Sequence, residues 1–154
     1  MEFQMIPSIL LHASAYHSSD LAPGFKRTHE LVKWDDTESN EWLYAGVDRL
    51  DVLLQGYGGY MERAYNSTRL QVNGRRVTVW FDELPEDVAP PTIYLYTVSP
   101  DESDGWVPVG NKINTHFKEY KTKNTVHYKK VEEVRMDARW FTNQGFRLTH
   151  KQNK

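Results

Sequence analysis

The stretch Ile93-Tyr94-Leu95-Tyr96-Thr97-Val98 decides the fold, because its run of β-branched, aromatic and aliphatic residues predicts a buried strand. Upstream, Leu70-Gln71-Val72 and Val77-Thr78-Val79-Trp80-Phe81 flank Asn73-Gly74, a dipeptide that predicts a tight β-hairpin. Downstream, we expect strands over residues 117–120 and 126–134, a short helix or turn near residues 137–142, and a last strand at residues 146–148. The middle and the end of the chain are therefore predicted to be mainly β.

The N-terminal third combines strands with short helices. Residues 8–13, after Pro7, and residues 42–47 are brief apolar runs, and each predicts a short buried strand. Between them we expect a loop at residues 23–25, one or two helical turns at 28–33 and a polar loop at 35–40. Asp48 is placed to cap an amphipathic helix, which we expect to end in the cluster Gly56, Gly58 and Gly59, with a second helix over residues 60–65. These elements predict one α+β domain spanning residues 1–154, with mostly antiparallel strands.

The composition excludes several kinds of site. The 154 residues include no cysteine, which removes a disulfide framework, a thiol nucleophile and the cysteine zinc sites. The six histidines are scattered without a paired-His metal spacing, so we expect no metal. The first apolar run is short and follows Glu2 rather than positive charge, and no run approaches the ~20 residues of a membrane helix. We therefore expect a soluble, cytoplasmic protein with no membrane partner.

The charge is unevenly distributed along the chain. The formal net charge is −2, yet residues 111–154 carry 11 Lys and Arg against 4 Asp and Glu. The preceding residues carry 8 Lys and Arg against 17 Asp and Glu. This asymmetry is typical either of a basic solvated face or, less often, of a surface that binds an anionic partner.

Three local features follow one another in a particular order. One strand ends in Leu11-His12-Ala13-Ser14, the next contains Trp42-Leu43-Tyr44-Ala45 and leads through Asp48 into a helix, and Phe117-Lys118-Glu119-Tyr120 opens a later β segment. In order, spacing and residue type the chain resembles the ADP-ribosyltransferase superfamily, in its His-Tyr-Glu branch, which includes the diphtheria-toxin-like and poly-ADP-ribose polymerase enzymes. The resemblance covers residues 8–148 and implies split antiparallel β-sheets with short helices in the N-terminal third.

The resemblance also implies NAD as co-substrate and a role for each residue of the first motif. His12 would bind a ribose hydroxyl and fix the sugar. The backbone of Ala13 and the hydroxyl of Ser14 would bind the nicotinamide amide. The family prefers Gly at the position of Ala13, and we expect the added methyl to tighten the approach of the ring.

The remaining candidates follow from the second and third motifs. Tyr44 would stack under the nicotinamide, with Tyr57 and Tyr60 as alternatives. The carboxylate of Glu119 would stabilise an oxocarbenium-like ribose and orient or deprotonate the acceptor. Lys26 and Arg27 would meet the NAD pyrophosphate, or form an exposed basic pair.

Each candidate also has a structural interpretation. His12 would be a satisfied strand-end histidine, Tyr44 part of a sheet surface, and Glu119 a solvated partner of a lysine. Basic and aromatic residues alternate after Glu119, which predicts either a single-stranded nucleic acid groove or, as we favour, the in-and-out pattern of a half-buried sheet; the residues are Tyr120, Lys121, Lys123, Tyr128, Lys129, Lys130 and Trp140.

The sequence therefore predicts an NAD-dependent mono-ADP-ribosyltransferase that modifies a macromolecular acceptor, either protein or single-stranded nucleic acid. Its size suits a phage or toxin–antitoxin effector, with an inhibitor or antitoxin protein as a further partner. The alternative is a catalytically inactive binding module of the same fold for nucleotide, RNA or protein. Both expectations rest on the resemblance rather than on composition.

Overall fold

The computed structural model of the chain describes residues 6–23, 42–109 and 119–154. Nine strands lie in these ranges: β1 Leu10–Ser14, β2 Leu43–Gly46, β3 Ser67–Asn73, β4 Arg76–Phe81, β5 Thr92–Val98, β6 Val107–Pro108, β7 Glu119–Thr122, β8 Lys130–Arg135 and β9 Arg147–Gln152. The same ranges contain two α-helices, α1, Arg49–Tyr65, and α2, Ala138–Asn143, and a 3₁₀ turn over Glu102–Asp104.

The strands form two sheets. The larger has the order β6-β7-β2-β1-β5-β8, and all of its neighbouring strands are antiparallel. The smaller has the order β3-β4-β9, with an antiparallel β3–β4 hairpin and a parallel β4–β9 pair. The expected α+β class with mostly antiparallel strands is confirmed.

Helix α1 lies between the two sheets and supplies most of the core. Its buried face, which includes Leu53, Tyr57 and Met61, packs against Ile93 and Leu95 of the larger sheet. The same cluster includes the inner face of the smaller sheet, where Val77, Val79 and Phe81 are completely buried. A second cluster covers the opposite face of the larger sheet; its members include Leu10, Leu21, Leu43, Tyr96, Trp106, Tyr120 and Val126.

The prediction that the first helix ends at the glycine cluster is wrong. Asp48 caps the helix as expected, accepting from the N–H groups of Leu50 and Asp51, but α1 continues through the glycines to Tyr65. It ends at Asn66, whose φ of 57° is the left-handed conformation of a C-cap. Two of the glycines adjoin neighbouring elements, since a Cβ on Gly56 would meet Ala13 and one on Gly58 would meet Leu70. Packing therefore outweighs their low helix propensity.

The strand predictions are confirmed with shifted boundaries. Asn73 pairs with Arg76, so the two-residue turn is Gly74-Arg75, with φ of 61° at Gly74. Strand β8 begins only at Lys130, and Val126 forms an isolated bridge to Leu21. The last strand extends to Gln152 because it pairs with β4 along its whole length. The expected elements within residues 24–41, and the start of the strand predicted at residue 117, lie outside the described residues.

Within the described part of the chain, neither helix has the length and apolar character needed to cross a membrane.

Candidate functional site

Three adjacent strands of the larger sheet carry the three predicted catalytic residues. His12 lies on β1, Tyr44 on the neighbouring β2, and Glu119 at the start of β7, the next strand. Leu11 pairs with Gly46, and Gly46 pairs with Glu119. At the usual strand separation, the backbones at Leu11 and Glu119 are therefore about 10 Å apart. The fold thus brings together segments that are distant in sequence.

His12 is held at the boundary between β1 and β2. Its Nδ1 lies 2.6 Å from the backbone oxygen of Tyr44. Because a carbonyl can only accept, Nδ1–H donates this bond, and in the neutral ring Nε2 is then an acceptor. The ring centre also lies 6.2 Å from that of Tyr96 on β5. The hydrogen bond fixes both the position of the imidazole and its tautomer.

Strands β1 and β2 are paired over a very short length. Their register contains the single pair Leu11 and Gly46, whereas β1 makes five pairs with β5. The C=O of Thr97 accepts from the N–H of Lys129, so the backbone of Thr97 faces β8. Backbone directions alternate along a strand, so Leu95, two residues before Thr97, also faces β8. Ala13 pairs with Leu95, and its N–H and C=O therefore face β2 rather than β5. The His12 hydrogen bond to Tyr44 thus crosses the two strands beyond the end of their ladder.

The three candidate side chains do not leave the sheet on the same face. Directly paired residues share a face, and His12 pairs with Tyr96, whose side chain belongs to the cluster away from α1. Tyr44 and Glu119 lie on the opposite face, towards α1, in register with Lys121 and Gly46. Tyr44 and Glu119 therefore share one face of the larger sheet, and the His12 ring lies on the other face.

Glu119 is a half-buried carboxylate close to helix α1. Burial raises its pKa, and a hydrogen bond with the Gln55 side chain on α1 opposes part of that rise. Its backbone oxygen accepts from the N–H of Val109, which ties β7 to the chain next to β6. A desolvated carboxyl group on a sheet of this kind suits charge stabilisation or proton transfer. Gln55 was not predicted, because one polar residue on an amphipathic helix carries no distinguishing signal.

The methyl group of Ala13 is accommodated by the helix. A Cβ built on Gly56 would lie only 2.9 Å from the Cβ of Ala13, so this methyl points at α1 and occupies the space that Gly56 leaves. The expected tightening of the approach to the Ala13 backbone stays a prediction, and the methyl lies on the same face of the larger sheet as Tyr44 and Glu119. Next to it, the hydroxyl of Ser14 accepts from the N–H of Tyr16 at 3.1 Å.

Two tyrosine hydroxyls hold the segment that follows β1. The Tyr96 hydroxyl accepts from the N–H of Ser18 at 2.9 Å and donates to the C=O of Tyr16 at 3.0 Å. Tyr128 donates to the C=O of Ser18 at 2.9 Å. This role was not predicted, although a tyrosine in the centre of an apolar strand signals a buried hydroxyl that needs partners.

The alternative aromatic residues serve other contacts. Tyr57 is 2% exposed, its ring centre lies 4.9 Å from that of Phe141, and its hydroxyl lies 3.3 Å from Nε2 of His150. A ligand could reach this ring only if the core opened. Tyr60 donates to the C=O of Ala89, and burial is the largest cause that raises its pKa to about 12. Lys26 and Arg27, the predicted pyrophosphate contacts, lie outside the described residues.

The described residues contain no group of three or more His, Asp or Glu side chains that could hold a metal ion. Comparison of the chain with known protein families, with curated proteins and with solved structures finds no match.

Proposed function

We propose that this chain is an NAD-dependent mono-ADP-ribosyltransferase with an ADP-ribosyltransferase-like fold. The observation that carries the proposal is the half-buried Glu119, which shares a sheet face with Tyr44 and lies one strand beyond the His12–Tyr44 hydrogen bond. The order β1-β2-β7 supports it further, because residues far apart in sequence meet on consecutive strands. The absence of cysteine from the sequence agrees with a reducing, cytoplasmic setting.

The proposed chemistry breaks the bond between nicotinamide and C1 of its ribose. The bonding electrons leave with nicotinamide, C1 becomes oxocarbenium-like, and the acceptor attacks it. The carboxylate of Glu119 stabilises the developing positive charge and takes the proton from the acceptor. Tyr44 lies on the same face and would stack on the nicotinamide ring.

The backbone of Ala13 would orient the nicotinamide amide. Its N–H and C=O face β2, and the ladder between β1 and β2 contains only the pair Leu11 and Gly46. A peptide group of this kind can bind a primary amide with one donor and one acceptor. The Ala13 methyl lies on the helix side, against Gly56, and is directed away from that hydrogen-bonding edge.

A second candidate function is a catalytically inactive binding module of the same fold. It is favoured by the position of His12, whose side chain leaves the sheet on the face opposite Tyr44 and Glu119. An NAD molecule that contacts all three side chains would have to pass from one face of the sheet to the other, between β1 and β2. Only the first candidate function, the enzyme, involves an acceptor, either protein or nucleic acid.

Release of nicotinamide from NAD tests the enzyme without knowledge of the acceptor. We expect the wild type to release nicotinamide and the Glu119→Gln variant to do so roughly 10²-fold more slowly, since one preorganised electrostatic contact contributes about that much. Glu133→Gln is the matched control, because Glu133 is an exposed carboxylate on β8.

Binding of NAD, measured by calorimetry on the same proteins, separates the two candidates. NAD bound but not consumed, with wild type and Glu119→Gln alike, would establish the binding module. Neither binding nor nicotinamide release would remove the enzyme and any module that binds NAD. Label transfer from NAD to added protein, RNA or single-stranded DNA then identifies the acceptor.

A further inference from the structure

The outer face of the smaller sheet is a continuous polar and basic surface. Side chains alternate across β3, β4 and β9, and the inner residues of the central strand β4, Val77, Val79 and Phe81, are 0% exposed in the core with α1. The register places nine side chains on the opposite, outer face, which we call the basic sheet face: Arg69, Gln71, Asn73, Arg76, Thr78, Trp80, Arg147, Thr149 and Lys151.

The charge on this face has one sign. Its four ionisable residues are Arg69, Arg76, Arg147 and Lys151, and its other polar groups are amides and hydroxyls. Asp82 follows the last residue of β4, and its carboxylate accepts from the side-chain amide of Asn153. A chain with net charge −2 thus gathers four cations on three neighbouring strands. Such a surface attracts a polyanion.

Trp80 stands at the centre of the row that crosses the three strands. The guanidinium carbon of Arg69 lies 4.9 Å from the ring centre, and Nζ of Lys151 lies 5.8 Å from it. The indole N–H donates to Oε1 of Gln71 at 3.2 Å. Two of the four cations therefore lie over a flat aromatic ring whose N–H is hydrogen-bonded on the same face.

We propose that the basic sheet face binds single-stranded nucleic acid. Positions on one face of a sheet repeat at about 7 Å along a strand and about 5 Å across strands. Arg76 and Arg147 are therefore direct neighbours on adjacent strands. Arg69 and Lys151 lie on either side of Trp80, so the four cations can contact several phosphates of one strand. Arg and Trp planes also provide stacking surfaces for bases, and a flexible single strand can follow a twisted sheet. A duplex would hide its base faces and gain only the phosphate contacts.

This surface stands apart from the proposed function. It lies on the far side of α1 from the larger sheet, and none of its nine residues belongs to the candidate NAD site. Binding would hold a nucleic acid on the protein whether or not the chain modifies it. The Glu119→Gln variant should therefore retain full binding.

Fluorescence anisotropy of a labelled 20-nucleotide oligothymidine, and of an RNA of the same length, tests the proposal on the full chain. We expect the Arg147→Ala/Lys151→Ala variant to lose roughly tenfold or more in affinity at about 0.1 M salt. For this variant, the slope of log affinity against log salt concentration should also become shallower by about 1.4, the contribution of two phosphate contacts on a single strand. Lys129→Ala/Arg139→Ala removes the same charge from exposed positions elsewhere and should change affinity less than about twofold.

A third variant and two competing ligands complete the test. Trp80→Leu should weaken single-strand binding roughly fivefold or more, because stacking is lost while the charge is kept; thermal melts confirm that each variant is folded. The proposal is overturned if the wild type does not bind, or if both charge pairs lower affinity equally. Tighter binding to duplex DNA, or to vesicles of equal parts phosphatidylserine and phosphatidylcholine, overturns it as well.

Discussion

The two sheets use polar residues in opposite ways. In the larger sheet, the polar groups of interest are partly buried and individually paired: His12 with Tyr44, Tyr96 with the Tyr16–Ser18 backbone, and Glu119 with Gln55. In the smaller sheet, the polar residues stand together on an outer face and the ionisable ones there are all cations. The larger sheet positions single polar groups by individual hydrogen bonds, whereas the outer face of the smaller sheet sums charge over a surface.

This difference predicts different sensitivities. A precise, partly buried site depends on packing and on single hydrogen bonds, so small changes of shape should have large effects. A charged surface depends on the number of its cations and on ionic strength, so single changes should have modest effects. Helix α1 contacts both sheets and allows the two to be compared directly.

The largest effect is expected from Gly56→Ala. The new Cβ would lie 2.9 Å from Cβ of Ala13 on β1, closer than packing allows, and a tight 3.2 Å from Cγ2 of Ile93. Gly58→Ala is the matched control, because its Cβ would meet Leu70 of the smaller sheet at an ordinary 3.4 Å. Both changes gain the same helix propensity, so their free energies of unfolding should differ by the cost of overpacking, about 1–3 kcal/mol.

Thermal melts measure this difference, at roughly 2–4 °C per kcal/mol for a chain of this size. Ala13→Gly combined with Gly56→Ala should recover most of the lost stability, because the methyl group is only moved from the strand to the helix. Equal melting temperatures for Gly56→Ala and Gly58→Ala would contradict the close contact between α1 and the larger sheet.

A smaller loss is expected from Tyr96→Phe. Removal of the hydroxyl leaves the N–H of Ser18 and the C=O of Tyr16 without this partner, which should cost about 1–2 kcal/mol. Gln71→Ala breaks an exposed bond to Trp80 on the outer face of the smaller sheet and should cost less than about 0.5 kcal/mol. Urea denaturation compares the two variants, and equal losses would remove the contrast between the sheets.

Much of the fold could be predicted from local sequence. The strands β1, β2 and β5, the hairpin, the Asp48 cap and the C-terminal helix follow from apolar runs, turn residues and capping residues. The continuation of α1 through three glycines could not be predicted, because it depends on contacts with Ala13 and Leu70 from other parts of the chain. The parallel pairing of β4 with β9 is likewise a tertiary contact without a local signal.

The candidate site could be predicted only in part. Sequence order anticipated that His12, Tyr44 and Glu119 would approach one another, and they lie on consecutive strands. It did not show which face each side chain takes, because that depends on the register of β1 with β2 and of β2 with β7. The distribution of charge along the sequence did not predict the basic sheet face, because Arg69 and Arg76 lie within residues 1–110, which carry an excess of acidic residues.

A moderate, pH-dependent effect is expected from His150 on the inner face of the smaller sheet. Burial lowers its pKa, while the unfolded residue keeps a pKa near 6.5. The unfolded state therefore binds more protons as the pH falls through and below 6.5, and the folded state loses stability in that window. We expect the urea midpoint of the wild type to drop more between pH 7.5 and 5.5 than that of His150→Gln, with His127→Gln, an exposed position, behaving as wild type.

Glu119 should act with the opposite sign at lower pH. Burial makes the pKa of Glu119 higher in the folded than in the unfolded state. At pH values above the unfolded pKa the folded state therefore binds more protons, and it gains stability as the pH falls towards that pKa. Glu119→Gln should therefore be slightly more stable than the wild type at pH 7.5, and that advantage should shrink in acid. An unchanged difference between pH 7.5 and 5 would show that burial does not determine the protonation of this carboxyl group.

The smallest effect is expected from the ion pair between Arg49 and Glu132. Nη1 and Nη2 of Arg49 each lie 2.8 Å from a carboxylate oxygen of Glu132, but the side chains are 51% and 43% exposed. Solvent screens such a pair, so a double-mutant cycle with Arg49→Met and Glu132→Gln should give a coupling free energy of about 0.5 kcal/mol, falling towards zero in 1 M salt. A coupling above about 2 kcal/mol that persists in salt would mean that this link between α1 and β8 behaves like the buried contacts of the larger sheet. The contrast between paired and summed charges would then lie between the inside and the outside of the molecule, and not between its two sheets.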